Sequence, residues 1–274
     1  VKANDTLYTT IRQLDNPLID LAQPLIEDME QSVDTAFTTR QTGLPGLDRF
    51  DFTGSTAFGR IRTFVNSGIA WSGRRALTLD VDRYTAAGNV DSLTGTFNLQ
   101  GLDALTEDVR LDFVYKHHGQ QSNAANQVWI RGSDQQPWLP VYDLYANQAD
   151  PGDFKRSASI EVSDLLAQAG QAFSSSFQVK WGQWGQMLVA DNKSAAGYTF
   201  DDIRLYKVVN DLQLISIDTP IVASCGLGTA VPVRITLRNS ANQTVNAIPV
   251  RYQIDNQPTV TEIVNSIAGN SSVS

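Results

Sequence analysis

Cysteine occurs once in the 274 residues, at Cys225, and histidine twice, at His117 and His118. One thiol closes no intramolecular disulfide, and one Cys with two His cannot complete a four-ligand zinc site. Low cysteine suits cytosolic proteins and many bacterial secreted ones alike, so the compartment stays open on this count. No run approaches the roughly 20 apolar residues of a membrane-spanning helix. Val1-Lys2-Ala3-Asn4 is not a signal peptide, and the expectation is a chain that starts inside a longer precursor. Basic residues are outnumbered, 21 Lys and Arg against 29 Asp and Glu, for a net charge of −8. That balance argues against nucleic acid or an anionic membrane as partner, both of which call for basic patches, so neither a nucleic-acid partner nor membrane insertion is expected. No G-x-S-x-G elbow and no G-x-x-x-x-G-K-[ST] phosphate loop occurs. The acids are numerous enough for a glycosidase pair, but no stretch singles one out.

What remains is a globular composition, 42% hydrophobic and 18% charged, with alternating text. Leu77, Leu79 and Val81 alternate with polar residues. Val109, Leu111, Phe113 and Tyr115 do the same and predict a half-buried strand. Val128 and Ile130 follow, then Phe173, Ser175, Phe177, Val179 and Trp181 on one face. Clusters such as Gly88-Asn89 and Asp150-Pro151-Gly152 break the runs. Ser163 to Ala169 predicts one short helix, and Leu25 to Ser32 is helical on propensity alone. Many short strands with polar connections predict an all-β fold, a jelly-roll sandwich rather than a βαβ architecture. A new unit begins after Asn210-Asp211, where Val231, Val233, Ile235 and Leu237 alternate, then Ile248, Val250, Tyr252 and Ile254. This is immunoglobulin-like text, yet residues 212–274 fall short of the ~100 residues of a complete domain. The tail is therefore expected to be a partial immunoglobulin-like sandwich. Leu7 to Leu14 reads as a strand closed by Asn16-Pro17, the end of a preceding module over residues 1–15, and could pair with the truncated tail.

The chain turns on Phe200-Asp201-Asp202-Ile203-Arg204-Leu205. Strand parity assigns Asp201 to the buried face of Ile203 and Leu205, and Asp202 to the solvent face of Arg204. A buried carboxylate needs a cation or several donors.

Residues 23–208 resemble the MAM-like jelly-roll modules of large secreted bacterial proteins. The likeness rests on Pro24-Leu25-Ile26-Glu27-Asp28-Met29-Glu30, Ser72-Gly73-Arg74-Arg75-Ala76-Leu77 and Leu111-Asp112-Phe113-Val114-Tyr115-Lys116. It continues through Val128 to Asp134 with Trp138, and the closing Phe200-Asp201-Asp202-Ile203. The tail resembles adhesion-type, CARDB-like immunoglobulin modules through Cys225-Gly226-Leu227-Gly228, Val233 to Asn239 and Val250 to Ile254, and Asn4-Asp5 resembles the close of such a module. The resemblance implies display at the bacterial cell surface or secretion, beside other domains of the same precursor. It also implies that the first and last strands lie together, bringing Glu30 or Asp28 toward Asp201 and Asp202. A structural Ca²⁺ held by Glu30, Asp201 and Asp202 is the resulting expectation, with Asp80 and Asp82 as further oxygens expected to face solvent on an edge.

Adjacent strand residues point to opposite faces, so His117 and His118 do not form one site. Trp181-Gly182-Gln183-Trp184 puts two indoles near one loop. Trp181 shares the face of Phe177 and Val179 and is expected to be buried, which leaves Trp129 and Trp184 as exposed ligand-binding candidates. These observations point to a non-catalytic adhesion or binding module with a protein or glycan ligand at the cell surface. The alternatives are an accessory carbohydrate-binding module of a secreted glycoside hydrolase, and a spacer or pro-region of a secreted protease.

Overall fold

The computed structural model describes residues 15–32, 49–62, 70–81, 83–186, 197–220 and 231–274. The strand expected over Leu7 to Leu14, Asp82 and the Cys225-Gly226-Leu227-Gly228 motif lie outside them. In chain order the first unit contains β1 (Leu25–Glu27), β2 (Phe50–Gly54), β3 (Gly59–Arg62), β4 (Leu77–Val81), β5 (Asn89–Phe97) and β6 (Asp108–His117). It continues with β7 (Gln127–Arg131), β8 (Leu139–Asp143), β9 (Lys155–Arg156), β10 (Ile160–Glu161), helix α1 (Val162–Gln168), β11 (Phe177–Gly185) and β12 (Gly197–Val208). The fold is all-β with antiparallel strand pairs, and α1 falls where the sequence predicts a helix.

Two sheets face each other. One runs β10-β6-β12-β4-β3, with β1 added on β12 and β9 on β6; the other runs β2-β5-β11-β7-β8. Their inner faces carry the period-two residues: Leu111, Phe113 and Tyr115 of β6, Leu77 and Leu79 of β4, Val179 and Trp181 of β11, Val128 and Ile130 of β7. Phe113 sits at the centre, with the rings of Tyr142, Trp181 and Phe200 at 5.6, 6.4 and 5.8 Å, all near edge-to-face. Edge-to-face packing sets the positive ring edge against a negative face and adds to the burial energy. Trp181 is fully buried, as its parity predicts.

Three expectations need correction. Leu25 to Glu27 is strand rather than helix, because β1 pairs antiparallel with β12 at Ile26 and Arg204, and tertiary pairing overrides a weak propensity. Strand β6 is buried on both faces along all ten residues, since its polar side is also covered. Asp80 is not on an open edge: it is wholly buried and takes Nε and a terminal nitrogen of Arg60 at 2.7 and 2.9 Å.

The tail contains β13 (Leu212–Thr219), β14 (Arg234–Asn239), β15 (Val245–Tyr252), β16 (Val260–Ile267) and β17 (Ser271–Val273), arranged as β13-β14-β17 and β15-β16. Arg110 joins it to the sandwich. Its guanidinium donates to both Asp108 oxygens at 2.9 Å, meets Glu161 at 2.9 Å and donates to the Ser240 carbonyl at 2.6 Å. Asn242 closes the contact, its N–H to Asp108 and its amide to Asp164.

Candidate ligand-binding face

The carboxylates singled out by the sequence meet at one loop. Asp201 Oδ2 accepts the N–H groups of Trp71 and Ser72 at 2.8 and 3.0 Å, and Oδ1 accepts that of Asp202 at 2.8 Å. Asp202 Oδ1 accepts the Ser72 hydroxyl. Glu30 Oε1 accepts the N–H groups of Arg74 and Arg75 at 2.6 and 2.7 Å. The chain can bend under Glu30 because Gly73 adopts φ +57°, and a Cβ there would collide with the Glu30 carboxyl. Burial pushes the Asp201 carboxyl up to about 6, against the pull of the Ser72, Asp202 and Trp71 N–H donors.

This arrangement corrects the parity assignment. Asp202 sits at φ +43° in a bulge where Asp201 opposes Val114 but Arg204 opposes Asp112. The extra residue turns both Phe200 and Ile203 into the core and leaves Asp201 on the opposite face, buried beneath the 71–75 loop. It also bears on the calcium expectation, because these carboxylate oxygens already serve backbone and side-chain donors. A hard cation needs six or more oxygens with free lone pairs. Here they accept N–H and O–H donors, and Arg156 lies 3.5 Å from Asp202. Among the described residues no group of three or more His, Cys, Asp and Glu is placed to hold a metal. Glu30, Asp201 and Asp202 are a clasp for a loop.

The two histidines diverge, as strand alternation requires. His117 is buried; Gln120 N–H donates to its Nδ1, so the neutral ring carries its proton on Nε2, toward the Ala149 carbonyl at 3.1 Å. Burial lowers its pKa. His118 Nε2 meets Thr199 Oγ1 at 2.7 Å on the other side of the strand.

The outer face of the five-stranded sheet is built differently. On β11 the inward set Phe177, Val179 and Trp181 leaves Gln178, Lys180, Gly182 and Trp184 pointing out. Cross-strand pairing places Trp129, Lys180, Thr94 and Asp51 in one row, and Arg131, Gln178 and Thr96 in the next. Trp129 and Trp184 therefore share one face, both half-buried. A Cβ on Gly182 would come within 2.7 Å of the Trp129 ring, and one on Gly88 would collide with the Trp184 indole, so each ring rests on a glycine. Arg131 Nε donates to Gln178 Oε1 at 2.7 Å and Gln178 Nε2 to Thr96 Oγ1 at 2.9 Å, which fixes that row.

Trp138, Lys180 and Arg131 are members of the face that the sequence reading did not single out. Lys180 Nζ lies 4.5 Å from the Trp129 ring centroid and 4.3 Å from that of Trp138, and the Arg131 guanidinium lies 4.2 Å from Trp138. The outward parity of Lys180 and Arg131 is legible in the alternation of their strands. The position of Trp138 is not, because it arrives from the loop before β8.

Several solved structures show a limited similarity to the chain. TmCBM61 in complex with β-1,4-galactotriose is similar at 10% identity and a TM-score of 0.35, over 58% of this chain and 88% of that one. The K2 cleaved adhesin domain of Lys-gingipain is similar at 9% identity and a TM-score of 0.38, over 67% and 99%. An apo cyclase from Fischerella sp. is similar at 11% identity and a TM-score of 0.35, over 68% and 98%. No family model matches the chain, and no curated protein matches it. Fold does not imply function, which rests on the side chains of the face itself.

Proposed function

We propose that this chain is a non-catalytic binding module whose ligand surface is the outer face of the five-stranded sheet, and that its ligand is a saccharide. The observation that carries this is the gathering of three half-buried indoles, Trp129, Trp138 and Trp184, on a flat β surface that also presents hydroxyl and amide groups. Indole faces stack on the apolar faces of pyranose rings, while the half-buried Thr94, Ser92 and Gln178 offer polar groups to the hydroxyls between them. Trp184 lies four residues from Lys180 on β11, about 13 Å along the strand at ~3.3 Å per residue, room for a short oligosaccharide rather than a single sugar. A polysaccharide ligand accords with the expected display outside the cell.

The test is tryptophan fluorescence against a panel of neutral and acidic oligosaccharides, with wild type and Trp129→Ala. Saturable quenching or enhancement that the variant loses is the expected result. A folded protein whose emission responds to no member of the panel would remove the proposal.

A further inference from the structure

Among the described residues, the cations of this face make no ion pair. In a chain of net charge −8, Lys180 stands between the Trp129 and Trp138 indoles, and Arg131 lies over Trp138. The nearest acids are otherwise placed. Asp134, whose charge reaches Arg131, accepts the Ser176 hydroxyl at 3.0 Å and is exposed. Asp51 ends the row of Trp129 and Lys180 two strands away, about 10 Å at ~4.8 Å per strand. Arg131 spends Nε on Gln178 and one terminal nitrogen on the Gln136 carbonyl. Among the described residues, Lys180 Nζ donates to no acceptor; it lies over π faces instead. Elsewhere several arginines are paired, Arg156 and Arg204 with Asp112 and the buried Arg60 with Asp80, whereas the buried Arg49 packs over the Phe97 ring.

From this we infer that the saccharide bound here is acidic, a polysaccharide whose carboxylate or sulfate seats on Lys180 and Arg131 while its ring stacks on Trp129. The inference rests on the proposed saccharide-binding face. A ligand anion supplies the ion-pair partner that these cations lack among the described residues. The indole walls make that interaction stronger than on an open surface, because they remove water from one side of each cation. Burial and the neighbouring Arg131 charge hold the Lys180 ammonium below its usual pKa. A bound anion would reverse the second effect.

The experiment titrates the protein by calorimetry with tetragalacturonate, with a neutral galacto-oligosaccharide of equal length and with a heparin tetrasaccharide, for wild type, Lys180→Gln and Arg131→Gln. Thermal melts confirm that each variant folds. Binding of tetragalacturonate or of the heparin fragment at least tenfold tighter than the neutral sugar supports the inference, and the better of the two identifies the anion. Each variant should then lose about tenfold for that acidic ligand, the scale of one charge-assisted hydrogen bond, and 0.5 M salt should weaken it further. Equal binding of neutral and acidic sugars, indifferent to both substitutions, would overturn the acidic class and leave the saccharide-binding face standing. Binding of no sugar by well-folded protein would overturn both.

Discussion

Asp91 is the residue at which this fold is least at ease. It points inward from β5 and is fully buried. Its Oδ2 accepts the Gln183 amide at 2.6 Å, but Oδ1 has no hydrogen-bond partner. Asn89 Nδ2 lies close by without reaching hydrogen-bond geometry, and it too is unpartnered. Burial pushes the Asp91 carboxyl up to about 7, with the Asp80 charge adding to the effect. The folded chain thus holds the proton more tightly than the unfolded chain, where the value is near 4. Asp91 favours folding fully below about pH 4, and that contribution is lost as pH rises through 7. The difference is on the order of 4 kcal/mol. Asp91→Asn should melt close to wild type at pH 4 and roughly 10 °C above it at pH 8. A constant gap between the two melting curves would show that Asp91 does not titrate in this range.

At the scale of elements, the strands were legible because their period is two and their inner residues are apolar. β4, β6, β7 and β11 all lie where alternation predicts. What defeated the reading was everything that alternation cannot encode. The bulge at Asp202 moves Asp201 to the other face, and a single sequence offers only an Asp-Asp pair as a hint of a left-handed residue. β6 seemed half-buried because Arg110, Asp112 and Lys116 are polar, yet their charges are covered or paired, Asp112 with Arg156 and Arg204. Trp129 and Trp184 were recoverable as outward residues, whereas the Lys180–Trp138 contact depends on where a loop returns. Gly182 ties these elements to the site. A methyl group there would meet the Ala125 carbonyl at 2.6 Å and the Trp129 ring at 2.7 Å. The backbone oxygen cannot give way as a flexible side chain would. Gly182→Ala should cost about 1–3 kcal/mol in urea denaturation and weaken saccharide binding by displacing Trp129. Unaltered stability and affinity would mean that the ring does not rest on that glycine.

At the scale of the molecule, a well-enclosed sandwich is joined to a tail with little enclosed core. Leu214, Ile217 and Ile263 of the tail are more than half exposed, and among its described residues the buried apolar ones are Ala241, Ile248 and Ile267. The join depends on Arg110, which neutralises the buried Asp108 while bonding the Ser240 carbonyl across the boundary. Removing it strands a buried carboxylate, a loss of about 3–5 kcal/mol for a broken buried pair. Arg110→Ala should therefore be cut severalfold faster by protease between Val209 and Asp211, and Arg110→Lys should not restore protection, because a lysine cannot make the bidentate bond. Cleavage at the wild-type rate would mean that other contacts hold the tail.

The five tryptophans report on the whole arrangement at once. Trp71 stands exposed beside Phe154, near the Asp201 clasp, Trp181 is sealed in the core, and Trp129, Trp138 and Trp184 share the outer face of the five-stranded sheet. Their indole N–H signals can be followed by two-dimensional NMR, with each assigned by a single Trp→Phe substitution, while the tightest-binding oligosaccharide is titrated in. Trp129, Trp138 and Trp184 should shift saturably, with Trp71 and Trp181 unmoved. A response confined to Trp71, with the other four signals still, would place the ligand on the opposite sheet and contradict the assignment of this face.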